Sequence, residues 1–413
     1  MDRPLRICLL SYRSNPHCGG QGVYLKQLSR SLRDLGHHVE VLSGPPDPRL
    51  DADIAVHRVA SLDLYNPDDP FRLPKLNELT RPVNLYEWLN VSTMGFPEPF
   101  LFGLQTYRFL QRHGRRFDVV HDNQSLSYGL WAVSRRIPTL ATIHHPITVD
   151  LKIAVQAEKV FWRKLKELRW HSFLGMQKRV ARTLPLLLTV SRCAREDIGR
   201  DFGVHPERFR IVPNGINTAV FRPLPGVSRE PGRVIVTNSA DTPLKGLTYL
   251  LEAVADIRRR RPIHLVVIGR PKPRGVIARR VRELNLAAHV TFTGRISDAV
   301  FVQEYARAGM AVVPSVYEGF GLPAGEAMAC GLPVIATTGG ALPEVVGDAG
   351  LLVPPQNAAA LAAAIEDLLD HPAKAAALGR MGYARVHAHF TWRRAAEKTV
   401  AAYREVIDDY RRS

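Results

Sequence analysis

The stretch that most constrains this chain runs from Glu318 to Glu326 and reads Glu-Gly-Phe-Gly-Leu-Pro-Ala-Gly-Glu. Ahead of it, residues 310–314 form a short apolar run that reads as a buried strand. Pro323 can open a helix, because proline in the first turn forfeits no hydrogen bond. Gly331 and Pro333 then end it. A strand, a glycine-rich loop and a helix N-terminus in that order make an anion site, where free N–H groups and the helix dipole both favour negative charge. Gly319 and Gly321 let the backbone approach a ligand closely. Glu318 and Glu326, with seven residues between them, flank the site. A carboxylate accepts hydrogen bonds from two hydroxyls at once, so acids beside a phosphate cradle suit a sugar or a ribose. Taken alone, Glu326 also fits a plain dipole-complementing residue early in a helix.

The rest of the chain alternates in the way a parallel sheet requires. Residues 6–11 read as a first strand, residues 12–22 as a loop holding Gly19, Gly20 and Gly22, and residues 23–35 as a helix stopped by Gly36. A strand at 38–43 completes a βαβ opening. Residues 45–115 carry many prolines and aromatics and predict long loops with short helices. Asp51-Ala-Asp53 lies at no strand end and is read as chance, not as a metal site. Strands at 117–121 and 139–143 follow, the first ending beside Asp122-Asn123, the second in His144-His145-Pro146. Ligands of open α/β sheets sit at the carboxyl ends of strands, so His144 is placed for chemistry. Residues 150–184 keep a helical period, and 186–191 read as a strand. Residues 217–232, rich in Pro and Gly, read as a linker. A second alternating unit follows, with strands at 233–238, 263–269 and 290–294 before the Glu318 stretch and one at 332–337 after it. Thr391 can cap a last helix whose apolar positions recur at helical spacing.

The phrase from Glu318 to Cys330, continued by Gly-Leu-Pro-Val-Ile-Ala-Thr-Thr-Gly-Gly-Ala-Leu-Pro-Glu-Val-Val, strongly resembles the donor-site signature of glycosyltransferase family 4. The resemblance implies an α/β chain of GT-B fold, with two Rossmann-like domains whose parallel sheets face across a cleft. It divides the chain into an acceptor domain at 1–213, a nucleotide-sugar donor domain at 214–390, and a helix at 391–413 that packs back on the first domain. It implies transfer of a hexose-type sugar from a nucleoside-diphosphate-sugar to a glycolipid, glycan or small-molecule acceptor, with retained configuration and no metal or other cofactor. Glu318 and His144 would face the transferred sugar, and Glu326 the donor ribose. Gly19 and Gly20 match the glycine pair that lies beside the donor phosphates, and Gly319, Phe320, Gly321 and Leu322 belong to the donor loop. Lys245 matches the lysine that grips the diphosphate. The arginine usual about five residues earlier is missing, since Ser239, Ala240 and Asp241 stand there. Arg270, directly after the strand at 263–269, is the candidate replacement, because a guanidinium clamps phosphate with two hydrogen bonds. Pro213-Asn214-Gly215-Ile216 resembles the family's inter-domain turn, although Asn217 stands where Asp is usual.

Composition narrows the partners. A net charge of +17 points to something anionic: nucleic acid, a membrane face or a phosphorylated substrate. Segment 151–183 alone carries a net +7, with Phe161, Trp162 and Trp170 among its lysines and arginines. It is read as a surface that touches an anionic membrane, against the alternative of a basic helix face in water. The four cysteines, Cys8, Cys18, Cys193 and Cys330, show neither disulfide nor metal spacing. Nothing apolar reaches the ~20 residues of a membrane span, and the N-terminus lacks a signal-peptide pattern. A cytoplasmic protein, peripheral at most on the inner membrane face, is expected. Two other readings stand beside the transferase: a basic nucleic-acid-binding protein, for which no reading-head motif is present, and a GT-B sugar epimerase or phosphorylase.

Overall fold

The computed structural model describes residues 3–14, 20–64, 69, 72–158, 160–238 and 242–412, so Gly19 and the Ser239–Ala240–Asp241 stretch lie outside the described residues. Two compact units form, one from 1–190, 194–212 and 395–413, the other from 191–193 and 213–394. In the first, seven strands are β1 (Arg6–Ser11), β2 (His38–Ser43), β3 (Ala55–Arg58), β4 (Val119–Asn123), β5 (Thr139–Ile143), β6 (Leu187–Thr189) and β7 (Phe209–Ile211). They lie in the order β3-β2-β1-β4-β5-β6-β7, every pair parallel. The second unit holds β8 (Glu230–Thr237), β9 (His264–Ile268), β10 (Val290–Phe292), β11 (Ala308–Val313), β12 (Val334–Thr337) and β13 (Leu351–Val353). Their order is β10-β9-β8-β11-β12-β13, again all parallel.

Both sheets are buried on both faces, which is why their central strands read as continuous apolar runs without alternation. Val234, Ile235, Leu265, Val266, Val312 and Ile335 are essentially inaccessible. Each sheet reverses direction once, between β1 and β4 and between β8 and β11. At such a reversal the connecting helices leave on opposite faces, so a crevice opens at the strand carboxyl ends. The residues just after β1 and β4 are therefore placed at a crevice, with those after β5 one strand further along, as are those just after β8 and β11.

Several expectations need correction. Gly20 does not sit in a loop: the first helix is Gly20–Asp34, buried along Tyr24, Leu25, Leu28 and Leu32. Gly36 still ends it, in the left-handed region at φ 89°. Residues 45–115 hold more regular structure than their prolines suggested, namely β3 and helices Pro82–Ser92 and Glu98–His113. Pro82 and Pro99 stand within the first turn of these helices, where a missing N–H costs nothing. Residues 150–184 are not one helix but Ile147–Ala157, Phe161–Trp170 and Leu174–Ala181, because Glu158 and Val160 are extended. Strand β8 begins at Glu230, inside the stretch read as linker. Helix Arg192–Phe202 and strand β13 gave no legible signal. Asp51 and Asp53 are held by arginines: Arg33 Nη1 lies 2.9 Å from Asp51 and 2.6 Å from Asp53, and Arg30 Nε donates to Asp51 at 2.7 Å.

The last helix, Trp392–Arg412, belongs to the first unit from Ala395 onward. Its fully buried Tyr403 bonds His121 Nδ1 at 2.7 Å, and Glu405 receives Arg210 Nε at 3.0 Å.

Candidate active site

In the second unit the site is built by two loops, one leaving β8 and one leaving β11. The first ends in a short turn, Pro243–Lys245, and Gly246 at φ 64°. A Cβ on Gly246 would fall onto the carbonyl oxygen of Pro314, so only glycine lets the two loops touch. Val316 N donates to Leu244 O at 2.8 Å and fixes their register. A third loop closes from the other side. Cβ atoms on Gly339 and Gly340 would collide with the backbone of Val316 and Glu318, and Ala341 N donates to Glu318 O at 2.8 Å.

These contacts place Lys245 Nζ 2.7 Å from Glu318 Oε1, which also accepts from Ser315 Oγ at 2.8 Å. Glu318 is largely shielded while Lys245 keeps about a third of its surface open, so the ammonium can serve Glu318 and an incoming anion together. Gly321, at φ 102°, turns the chain into helix Leu322–Ala329, with Pro323 in its first turn. In its first turn Pro323 has no N–H, and Ala324 and Gly325 donate to Gly321 O at 3.0 and 3.3 Å, so the helix presents its dipole and the N–H of Leu322 at the loop. Phe320 is turned into the core, its ring 5.8 Å from that of Phe390, which leaves only its backbone for a ligand. Arg270 follows β9 and is exposed, with no ion-pair partner among the described residues.

Glu326 has a different environment. No hydrogen bond or ion pair to its carboxyl is found among the described residues. Burial, and then the charge of Asp298, push its carboxyl up to about 7. A carboxylate held without a protein partner is ready to accept hydrogen bonds from a ligand hydroxyl.

The first unit brings together a second group of predicted residues. His144 follows β5, half-buried, with Nε2 2.7 Å from Asn123 Oδ1 and its ring 4.5 Å from that of Tyr24. Burial, and then His145, push its pKa down to about 3, so the imidazole is neutral at physiological pH. Its backbone N–H donates to Gln124 Oε1 at 2.9 Å. Behind it runs a buried chain of bonds: Tyr24 Oη to Thr142 Oγ1 at 3.0 Å, then His121 Nε2 at 2.7 Å. Asp122, raised to about 6 by burial, is occupied by Ser125 and the N–H of Leu126. His145 pairs with Asp150 at 2.7 Å. Gly20 begins the helix that carries Tyr24. Sequence reasoning missed Ser315 and Gln124. A lone serine and a lone glutamine carry no pattern, and their roles depend on loop conformation. Among the described residues no three His, Cys, Asp or Glu side chains converge as a metal-ligand set.

Comparison with known proteins decides the family. Residues 18–220 match the family described as Glycosyltransferase Family 4, and residues 231–371 that described as Glycosyl transferases group 1. An MMP alpha-(1->4)-mannosyltransferase from Mycolicibacterium hassiacum is 46% identical over 408 residues, 98% of each chain. The chain belongs to glycosyltransferase family 4. This family member is a hexosyltransferase. Its fold is shared with sucrose-phosphate synthase from Thermosynechococcus elongatus (TM-score 0.74, 26% identity, 98% of this chain and 100% of that one). It is shared too with Anabaena Alr3699/HepE in complex with UDP (TM-score 0.70, 18% identity, 97% and 100%). The two-sheet GT-B architecture expected from the Glu318 phrase is thus present. None of these relatives supports a nucleic-acid-binding, epimerase or phosphorylase reading.

The state of Glu326 gives a test of its own. Its carboxyl titrates near 4.5 in the unfolded chain and near 7 in the fold. Between those values the folded protein holds a proton that the unfolded chain does not, so stability falls as pH rises through that window. Glu326→Gln is neutral throughout. It should raise Tm above pH 7 relative to the parent, with the difference gone near pH 4.5. Thermal melts across pH check this; a difference constant with pH would show that Glu326 is not held neutral by its surroundings.

Proposed function

We propose that this family 4 enzyme transfers a mannosyl unit from a nucleoside-diphosphate-mannose to a sugar acceptor, forming an α-(1→4) linkage with the donor's configuration retained. The observation that carries the reading is the Lys245–Glu318 pair at 2.7 Å, set beside a helix N-terminus at a sheet reversal. The choice of mannose and linkage rests on the 46% identical mannosyltransferase.

In this reading the diphosphate lies over the N-terminus of helix Leu322–Ala329, where the dipole and the Leu322 N–H favour it. Lys245 adds a positive charge, and Arg270, exposed after β9, supplies the guanidinium that residues 239–241 do not. These groups do the work a divalent metal does elsewhere, so no metal is required. Gly19 and Gly20 are assigned beside the phosphates as well. Glu326 accepts from the ribose hydroxyls. Glu318 faces the sugar, held by Lys245 and Ser315. His144 takes a sugar hydroxyl. As the bond from the anomeric carbon to the phosphate oxygen breaks, charge builds on the leaving diphosphate and is met by fixed donors. The acceptor oxygen bonds the same face of that carbon and passes its proton to the departing phosphate oxygen.

A second reading concerns where the enzyme acts. Phe161 and Trp162 on helix Phe161–Trp170 are 66% and 75% exposed, next to Arg163, Lys164 and Lys166. Aromatic tips amid lysines and arginines suit the anionic inner face of a membrane. Trp170, expected to join them, instead stacks on Phe96 at 5.0 Å. No described helix is long and apolar enough to cross a membrane.

Three measurements test these readings. Offered GDP-mannose, UDP-glucose and ADP-glucose with a short mannoside acceptor and EDTA present, the enzyme should turn over the mannosyl donor and give an α-linked product. Glu318→Gln should lower kcat far more than donor affinity. A β-linked product would sink the mechanism. In calorimetry, Arg270→Ala should weaken GDP binding by ~1.5–3 kcal/mol, the scale of a charged hydrogen bond, and leave guanosine binding unchanged; equal GDP affinity removes Arg270 from the site. Finally, co-sedimentation should favour anionic over neutral vesicles at low salt and lose that preference in a Phe161→Ser/Trp162→Ser double variant. Equal recovery with both vesicle types ends the membrane reading.

A further inference from the structure

The amide of Asn123 offers a way to decide which nitrogen of His144 carries the proton. Asn123 Nδ2 lies 3.3 Å from the carbonyl oxygen of Gln21 and 3.4 Å from Ser11 Oγ. A carbonyl oxygen only accepts, so the NH2 end of the amide must face Gln21. Asn123 Oδ1 therefore faces His144 Nε2, at 2.7 Å. An amide oxygen also only accepts, so Nε2 must carry the hydrogen. A neutral imidazole has one N–H, and Nδ1 is left with a bare lone pair. No partner to Nδ1 is found among the described residues.

We infer that Asn123 is a positioning residue that locks His144 in the Nε2–H tautomer, so that His144 meets the substrate as a hydrogen-bond acceptor through Nδ1 and never as a proton donor. The contact with a sugar hydroxyl rests on the proposed function; the tautomer does not.

The surroundings enforce the same arrangement. Gln124 holds the His144 backbone from both sides, accepting its N–H at 2.9 Å and donating to the carbonyl of His145 at 3.1 Å. To do so it takes φ 61°, and Leu126 takes φ 46°. Gln177 donates to the carbonyls of Gln124 and Ser125, at 3.0 and 3.2 Å, and so secures this bend. The titratable groups around the ring offer it no second proton. Tyr24, from helix Gly20–Asp34, packs its ring on His144 and bonds Thr142. His121 on β4 is tied between Tyr403 and Thr142. Asp122 is occupied by Ser125 and Leu126, and Asp150 by His145. Among the described residues no carboxylate is bonded to the His144 ring, so none of them favours the imidazolium.

The function follows from the acceptor lone pair. A sugar hydroxyl donates to Nδ1, which leaves its oxygen free to accept from another group. A protonated histidine would reverse that polarity and set a cation near the anomeric carbon, where positive charge develops. A neutral acceptor avoids that repulsion.

The test is heteronuclear NMR on the intact, 15N-labelled protein, with the His144 ring assigned by comparison with His144→Ala. At pH 7 the long-range correlation pattern should be that of Nε2–H with Nδ1 unprotonated. Saturating GDP-mannose should move the Nδ1 resonance. Asn123→Asp puts a carboxylate opposite Nε2–H, so the ring should hold its second proton to higher pH and the acid limb of the kcat profile should shift up. Asn123→Leu should mix the tautomers and lower kcat about tenfold, the loss of one hydrogen bond in the transition state, with little change in donor KM. An Nδ1–H pattern in the parent protein overturns the inference at once, whatever the variants do. An Nε2–H pattern in which bound GDP-mannose leaves Nδ1 unmoved overturns the acceptor role. If the tautomer is as stated but no sugar-nucleotide is turned over, it is the proposed function that fails.

Discussion

Close backbone approach around residues 314–318 is the constraint on which the second unit's site depends. Side chains at 246, 339 or 340 would occupy the space of the backbone of Pro314, Val316 and Glu318. Glycine costs conformational entropy wherever it stands. Here that cost is offset by three loops brought near enough for their peptide groups to bond. The result is that Glu318 is positioned by main chain on two sides and by Lys245 and Ser315 at its tip. A side chain supported in that way has little freedom left to lose when a ligand arrives, which is the physical content of preorganisation.

Burial then divides the acids and bases by task. Glu318, satisfied by a lysine and a hydroxyl, is a compensated charge. Glu326 lies on the helix that Gly321 opens, its carboxyl without a bonded partner among the described residues, and is pushed up to about 7. His144 moves the other way, down to about 3, for the same reason: low-dielectric surroundings disfavour whichever form is charged. Stability alone would favour an apolar residue at 326. A carboxyl kept there without a protein partner is stabilised only by what it binds.

Much of this was legible in the chain. The alternation of apolar runs and helical periods located ten of the thirteen described strands by simple order, because doubly covered parallel strands need no alternation to be recognised, and the phrase from Glu318 to Glu326 located the loop, the helix start and the acids together. What failed did so for identifiable reasons. Pro82 and Pro99 belong to the proline-rich stretch that predicts long loops, though at a helix start they are neutral. Phe320 sits within the donor loop as read, but that its ring packs in the core against Phe390 and leaves only its backbone to a ligand was not legible. The period over 150–184 gave no sign of the extended break at Glu158 and Val160. Gln124 could not have been found, since its role depends on a left-handed backbone that no residue pattern announces.

That left-handed conformation is informative in itself. Two non-glycine residues within three positions, Gln124 and Leu126, hold positive φ directly after β4. Each costs of order 1 kcal/mol or more, a strain that persists only where surrounding structure over-determines it. Glycine at 124 would remove the strain, but with it the amide that grips the backbone of His144 and His145. Leucine at 126 is fully buried, and its N–H satisfies Asp122. The bend is thus held by packing below, by Gln177 behind and by Asp122 within. Its strain is balanced against the placement of one histidine, whose ring is set by Asn123 and whose main chain is set by Gln124. A loop that only had to connect β4 to the next helix would have no reason to keep either residue in that conformation.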